Sequence, residues 1–541
     1  MLRRLWPWVA SLLLLVSLLP QPALAAGTSG TVAAGTATTP AKKPAVGGEL
    51  RPRLYNDPDS LLSIWSGTGN GSYVNSLIYA SLVRFNEKGE PTPYIAQSWQ
   101  TSTDGTTWTF KLRSGVRFHD GNELTAEDVL FTLNTILAPE YDGPYALPDA
   151  IKSITAPDKY TVQITLKTPY AALLYDVNLG ILEKRLFANT KIADMPAGAA
   201  ASKPVGAGPY RFISYTPGKE VVLERNPNWC MSASYNGAPF IQTIRFKIIT
   251  NDTDAYKALT KGDTDVDTFN PDWFYDKDKQ NLQQVPYDRN GWAAISFNMA
   301  NPQLSDKRVR LALTYGLDRQ ALIDWGLSGQ GTVPAGPIPS FSWAGDPTMQ
   351  PLPYDPAKAR RLLEEAGYRI NANYIYEKDG KPLQFNLYIN DSDLAKFVGA
   401  IAKISWTLIG VNVTVKYTDF NTLMNTYARP GKFDMLFSGM NLSLDPDQKD
   451  LFHSASANLL NYGRYKNADV DKLLEQGLRE TDPAKRKAIY IQYQHKLMDD
   501  PPVIFTYAQR YSDLINKKVK GYTTIPGVGA ANLELWWINE Q

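Results

Sequence analysis

Apolar and polar residues alternate with a period of two at several places along the chain. Trp108, Phe110 and Leu112 are spaced by Thr109 and Lys111, and Tyr160, Val162, Ile164 and Leu166 by Thr161, Gln163 and Thr165. Leu383, Phe385, Leu387 and Ile389 repeat the pattern. Successive side chains of a strand point to opposite faces, so each run predicts a strand with one buried face. Helices announce themselves by their ends. Asp355-Pro356 offers an N-cap and a first-turn proline that needs no N–H partner, Leu362 and Leu363 follow, and Gly367 supplies the residue after the end. Asp482-Pro483 opens a second such helix through Ile489, Tyr493 and Leu497, and Thr125 with Asp128 has capping-box spacing ahead of Val129, Leu130 and Leu133. Strands and helices are interspersed throughout, which predicts α/β architecture in more than one lobe.

Composition sharpens this picture. A chain of 541 residues, 43% hydrophobic and 20% charged, is too long for one core and too apolar to stay unfolded. Its 56 basic and 54 acidic residues nearly balance, and removing the first 25 residues, which hold Arg3, Arg4 and no acid, brings the counts level. That excludes a nucleic-acid footprint. Arg3 and Arg4 precede an apolar stretch from Ser11 to Leu19 and then Ala23-Leu24-Ala25, the pattern of an export signal cleaved before Ala26. Cys230 is the only cysteine, so neither an internal disulfide nor a lipid-anchoring cysteine at the cleavage site is expected. From Ala26 to Gly48 the Ala, Gly, Thr and Pro content predicts a flexible linker.

The residues speak against catalysis. His119, His453 and His495 stand in separate contexts, and neither Gly-x-Ser-x-Gly nor His-Glu-x-x-His occurs. Asp263, Asp265 and Asp267 begin like a calcium loop, but no glycine follows at the sixth place and Phe274 holds the twelfth. No metal and no cofactor are expected, and the chain does not read as an enzyme. His119 reads as a structural residue beside the Asp120-Gly121 turn.

Five segments then point to a family. They are YIAQSWQTSTDGTTWTFKLRSGVRFHDGNELTAEDVLFTLNTI from Tyr94 to Ile136, VGAGPYRFISYTPGKEVVLERNPNW from Val205 to Trp229, and SFNMANPQLSDKRVRLALTYGLDRQALI from Ser296 to Ile323. YDPAKARRLLEEAGY from Tyr354 to Tyr368 is the fourth, and the stretch from Asp445 to Tyr507 is the fifth. In content and order they resemble the family-5 bacterial extracellular solute-binding proteins, the oligopeptide- and dipeptide-binding components of ABC importers.

The resemblance implies a two-lobed periplasmic binding protein with an extra domain inserted in the first lobe and a cleft between the lobes. Transferred to this chain, domain I takes 49–82, 204–290 and 508–541, domain II takes 83–203, and domain III takes 291–507, with two crossing strands as the hinge. It further implies a soluble periplasmic monomer that is not a lipoprotein. Such a protein captures an oligopeptide by main-chain hydrogen bonds and delivers it to a membrane permease and ATPase complex. A nickel chelate, an oligosaccharide or another small solute is the alternative ligand. The first-lobe edge of the cleft is expected at Thr68, Gly69 and Asn70, ahead of a helix that includes Tyr79 and Leu82. Asn270, Trp273 and Tyr275 are expected on the cleft wall, with Arg289 near the first hinge strand. The second edge is expected at Ser438, Gly439, Met440 and Asn441, after the strand containing Phe433, Met435 and Phe437. Here the chain departs from the family: Leu442 stands where many relatives carry an aspartate for the peptide's α-amino group, and Gly439 where a tryptophan is usual. Asp445 is the candidate to replace that acid, and otherwise the ligand's end is not read by charge.

Overall fold

A computed structural model of the chain describes residues 44–539 apart from 270–279, 458, 526 and 528. The expected export signal and most of the linker, together with Asn270, Trp273 and Tyr275, lie outside the described residues.

The fold is α/β and two-lobed, each lobe closing around its own apolar core. The first core gathers side chains from Leu50 to Phe246 and again from Ile515 to Trp536. It is covered by two sheets. In one, Gly47–Leu50, Ile241–Ile248, Glu220–Arg225 and Tyr210–Thr216 lie in that order, with Arg53–Leu54 also on Ile241–Ile248. In the other, Ala96–Thr101, Thr107–Leu112, Thr161–Leu166 and Ile151–Asp158 form an antiparallel meander-like layer. The alternation read from the sequence is realised in it: Trp108, Phe110 and Leu112 are buried while Lys111 faces out.

The second core is built on Gly291–Phe297, Met435–Asn441, Gln384–Asn390 and Asn412–Thr418. Helices Lys307–Tyr315, Pro356–Glu365 and Asp393–Thr407 contribute to one cluster against this sheet, and Ala468–Arg479 and Pro483–Asp499 to another. The caps are formed as the sequence predicts. Asp355 accepts from the Lys358 N–H at 2.8 Å and Asp482 from the Lys485 N–H at 2.9 Å. Thr125 and Asp128 make the reciprocal capping box, and Gly367 takes φ +92°, a conformation side chains disfavour.

One element belongs to both cores. Strand Val503–Asn516 pairs with Gly291–Phe297 over Val503 to Tyr507, then with Leu282–Asp288 from Arg510 to Asn516 and with Val266–Phe269 on its other side. Together with the run from Leu282–Asp288 into Gly291–Phe297, it carries the chain twice between the cores.

Two expected boundaries shift. The helix at Thr68 runs Gly69–Ile78 and stops before Tyr79, so Gly69 and Asn70 are its first turn rather than a loop ahead of it. It stops because another segment occupies its end: Gly208 N–H donates to the Ile78 carbonyl at 2.9 Å, and a Cβ at Gly206 would lie 2.0 Å from that same oxygen. The second correction is that Ser438, Gly439, Met440 and Asn441 lie within strand Met435–Asn441, paired to Gly291 through Ala294, and not beyond it. His119 ties the Gly206 segment in place. Its N–H donates to Gly206 O at 2.8 Å, its Nδ1 accepts from the Gly206 N–H at 3.3 Å, and its Nε2 meets Gly208 O at 3.1 Å. Burial lowers the imidazole to about 4, which keeps it neutral.

Gly206→Ala is expected to cost about 1–3 kcal/mol, because the methyl is driven into backbone that has no room to retreat. The measurement is the denaturant midpoint, against which Gly69→Ala, whose added Cβ meets nothing within 4 Å, serves as the control.

Candidate functional site

A cavity of about 740 Å³ opens against the first core, and Leu444 closes it from the side of the second core. Its wall includes Tyr55, Gly69, Asn70, Tyr145, Asn178 and Asp267.

The Gly69–Ile78 end is held by a residue that the sequence pattern does not mark. Asp59 accepts from the Gly67 N–H at 2.7 Å, the Thr68 N–H at 3.1 Å, the Ser66 hydroxyl at 2.9 Å and the Thr68 hydroxyl at 2.6 Å. Partial burial pushes its pKa up, but these bonds outweigh burial and hold it below the ordinary carboxylate value. Thr68 in turn accepts from the Gly71 N–H at 3.3 Å as N-cap. Asn70 donates to Asn56 O at 3.0 Å, and no neighbour stands within 4 Å of a Cβ at Gly69. The candidate first edge is therefore a rigid, capped helix start whose Gly69 and Asn70 face the cavity, with Thr68 behind them.

The charges on the wall are already paired. Arg53 donates to Ile249 O and Asp252 at 2.7 Å each and to Asp267 at 3.1 Å, and its guanidinium lies 4.2 Å from the Tyr55 ring centroid. Tyr55 donates to Thr268 O at 2.7 Å. Burial raises Asp267 to about 7 despite Arg53. Arg84 bonds Asn532 at 2.7 Å and pairs with Glu534. Asp265, the middle residue of the calcium-like run, accepts from Arg51 at 3.1 Å and Lys518 at 2.9 Å. Among the described residues no group of three or more His, Cys, Asp or Glu is placed to hold a metal.

On the second side the candidates diverge. Gly439 is exposed and unobstructed. Met440 packs its side chain onto the second lobe's interior with Trp292 and Phe452. Asn441 accepts from Arg289 Nε at 2.8 Å. Leu442 packs against the core. Asp445, the candidate for the missing acid, is enclosed: its side chain is 4% exposed and Arg486 donates to both its oxygens, at 2.6 and 2.8 Å. A carboxylate paired in this way supports its loop. The cavity wall is instead formed on this side by Leu444. Tyr55 and Asp267 were not legible as site residues, since they bond Thr268 and Arg53, 213 and 214 positions away. Asp59 acts locally, on Ser66, Gly67 and Thr68, but Asp as a capping acceptor at that spacing has no standard signature.

With this geometry in place, similarity to known proteins assigns the family. Residues 90–458 match the model of the bacterial extracellular solute-binding proteins, family 5. The oligopeptide-binding protein AppA of Bacillus subtilis is 30% identical over 512 residues, covering 92% of this chain and 93% of AppA. The structure of AppA with a nonapeptide superposes with TM-score 0.68 at 29% identity, covering 92% of this chain and all of that one. NikZ from Campylobacter jejuni, in complex with Ni(L-His), superposes at 0.69 with 26% identity, over 92% of this chain and 99% of NikZ. The chain belongs to the family-5 solute-binding proteins, a family of binding proteins rather than enzymes.

Asp445→Ala leaves Arg486 buried without its partner and is expected to cost about 3–5 kcal/mol of stability. A thermal melt checks this, and a variant that melts like the parent would return Asp445 to the list of ligand contacts.

Proposed function

We propose that this chain is the periplasmic, exported binding component of an ABC importer that takes an extended oligopeptide into the cavity between its lobes. The observation that carries the reading is the cavity itself, whose wall is made by Gly69 and Asn70 at a capped helix start, facing Leu444, in a chain that matches a peptide-binding relative over 92% of its length. An open helix start and an exposed strand offer backbone groups, and backbone groups read any peptide irrespective of sequence.

In this reading domain I comprises 49–82, 204–290 and 508–541, domain II 83–203 and domain III 291–507. Gly69 and Asn70 meet the ligand from the first lobe and Gly439 and Asn441 from the second, with Asn270 and Trp273 completing the wall. The two chain crossings act as hinge, so that closure changes few backbone angles and removes the ligand from water. The loaded protein, a monomer without a lipid anchor, then presents itself to the permease and its ATPase.

The ligand's amino end is not held by a fixed charge. Leu442 is apolar, Asp445 is closed by Arg486, and the charges on the described wall pair with one another.

Thermal shift against a peptide library is expected to show stabilisation that grows with peptide concentration. Stabilisation by a nickel chelate or a sugar and by no peptide overturns the assignment. N-acetylated and free forms of one peptide are expected to bind within about tenfold of each other; a much larger loss on acetylation shows that an acid reads the amino end.

A further inference from the structure

The Gly69–Ile78 helix gives the cavity more than its first turn. Asn75, in the second half of the helix, also lines the cavity, although the residue is only 5% exposed. Its amide is fixed in orientation, because Nδ2 donates to Ser60 O at 3.0 Å and turning the group over would set oxygen against oxygen. Oδ1 is thereby held away from Ser60, buried and without a hydrogen-bond partner in the protein. A second amide stands in the same wall. Asn178 lines the cavity too, and its Oδ1 is likewise buried with no partner in the protein.

The fold brings these two amides to one side of the cavity. Tyr79, whose N–H donates to Asn75 O at 2.9 Å, stands one helical turn beyond Asn75, so the two side chains share a face. The segment after Asn178 is bound to that same turn. Ile181 N–H donates to Ala80 O at 2.9 Å, the Ser63 hydroxyl donates to Gly180 O at 2.7 Å, and a Cβ at Gly180 would lie 2.6 Å from the Cβ of Tyr79. Only glycine permits this approach, and it fixes Asn178 two positions away.

Buried polar atoms left unpaired cost about as much as a lost hydrogen bond and are rare, so two open acceptors on one wall call for a donor. The chemistry of the wall selects which donor. Its described acids are paired, Asp267 with Arg53 and Glu534 with Arg84, so an ammonium or guanidinium between the amides would be buried without a counter-charge. A hydroxyl has one hydrogen and satisfies one acceptor. A primary carboxamide is neutral and has two N–H donors, one for each oxygen, while its own oxygen is left towards the open cavity and water.

We propose that Asn75 and Asn178 form a subsite for a primary carboxamide, the side chain of a glutamine or asparagine in the bound peptide. The subsite rests on the reading of the cavity as a peptide site, and it adds a side-chain preference at one position to recognition that is otherwise made through the backbone.

The test is calorimetric titration of the full chain with pentaalanine, and with pentaalanines carrying one Gln, Leu, Glu or Lys at each position in turn. At one position the Gln peptide is expected to bind about tenfold or more tighter than its Leu, Glu and Lys counterparts, because only the carboxamide pairs both oxygens. Asn178→Leu, which keeps the volume and removes one acceptor, is expected to bring the ratio of Gln to Leu affinity at that position down to about one or below. Asn178→Asp is expected to move the preference there from Gln to Lys, since the new carboxylate supplies the missing counter-charge. Pentaalanine that binds while no position prefers Gln, or a Gln preference that persists in Asn178→Leu, overturns the subsite and leaves the peptide reading standing. Should Asn178→Leu fail to fold, Asn178→Asp decides, and an unmoved preference overturns the proposal. Binding by none of the peptides overturns the peptide reading and the subsite with it.

Discussion

Everything in this molecule hangs on the continuity of one strand. Val503–Asn516 gives its first residues to the second core, where Ile504 and Tyr507 are buried, and its last to the first core, where Ile515 is buried. Between them Gly331–Thr332 pairs with Ala508 and Gln509. Because backbone N–H and C=O groups inside a protein must find partners, each half of the strand is obliged to stay in its own sheet. The partner strand changes within a few residues, around Asp288 to Gly291 and Tyr507 to Arg510. The cavity inherits its walls from that arrangement. One side is set by the first core through the Gly69–Ile78 helix, the other by the loop that follows Met435–Asn441.

The charges obey a related economy. Arg53 with Asp267, Arg84 with Glu534 and Arg486 with Asp445 are all intramolecular pairs at or near the junction of the lobes. Buried charges need close partners, and here the protein supplies them from within. What remains on the described wall is backbone, amides and aromatic rings. Tyr55 is part of this: its ring carries Arg53 and its hydroxyl is spent on Thr268, yet its face remains at the cavity.

The sequence revealed the elements better than the site. Period-two runs such as Trp108 to Leu112 and caps such as Asp355-Pro356 depend on neighbours a few residues away, so they can be read locally. The extent of Gly69–Ile78 was misjudged because the helix is stopped by Gly206 and Gly208, more than a hundred positions on. The family resemblance puts Gly439 to Asn441 past their strand, whereas pairing to Gly291 through Ala293 keeps them extended within it. Asp445 looked available for the same reason that Tyr55 and Leu444 looked unremarkable. Which carboxylate is free depends on an arginine forty-one positions away in sequence, and no local pattern records that.

The first core also has a bearing on the timing of folding. Its apolar cluster includes Leu50 near one end of the described chain and Trp536, completely buried, near the other. A growing chain emerges in order, so this cluster lacks its closing piece until Trp536 has been made, and its long-range pairings come late. A polypeptide that cannot complete its core while being synthesised stays pliable for longer, which is the condition in which a chain is threaded through a narrow pore.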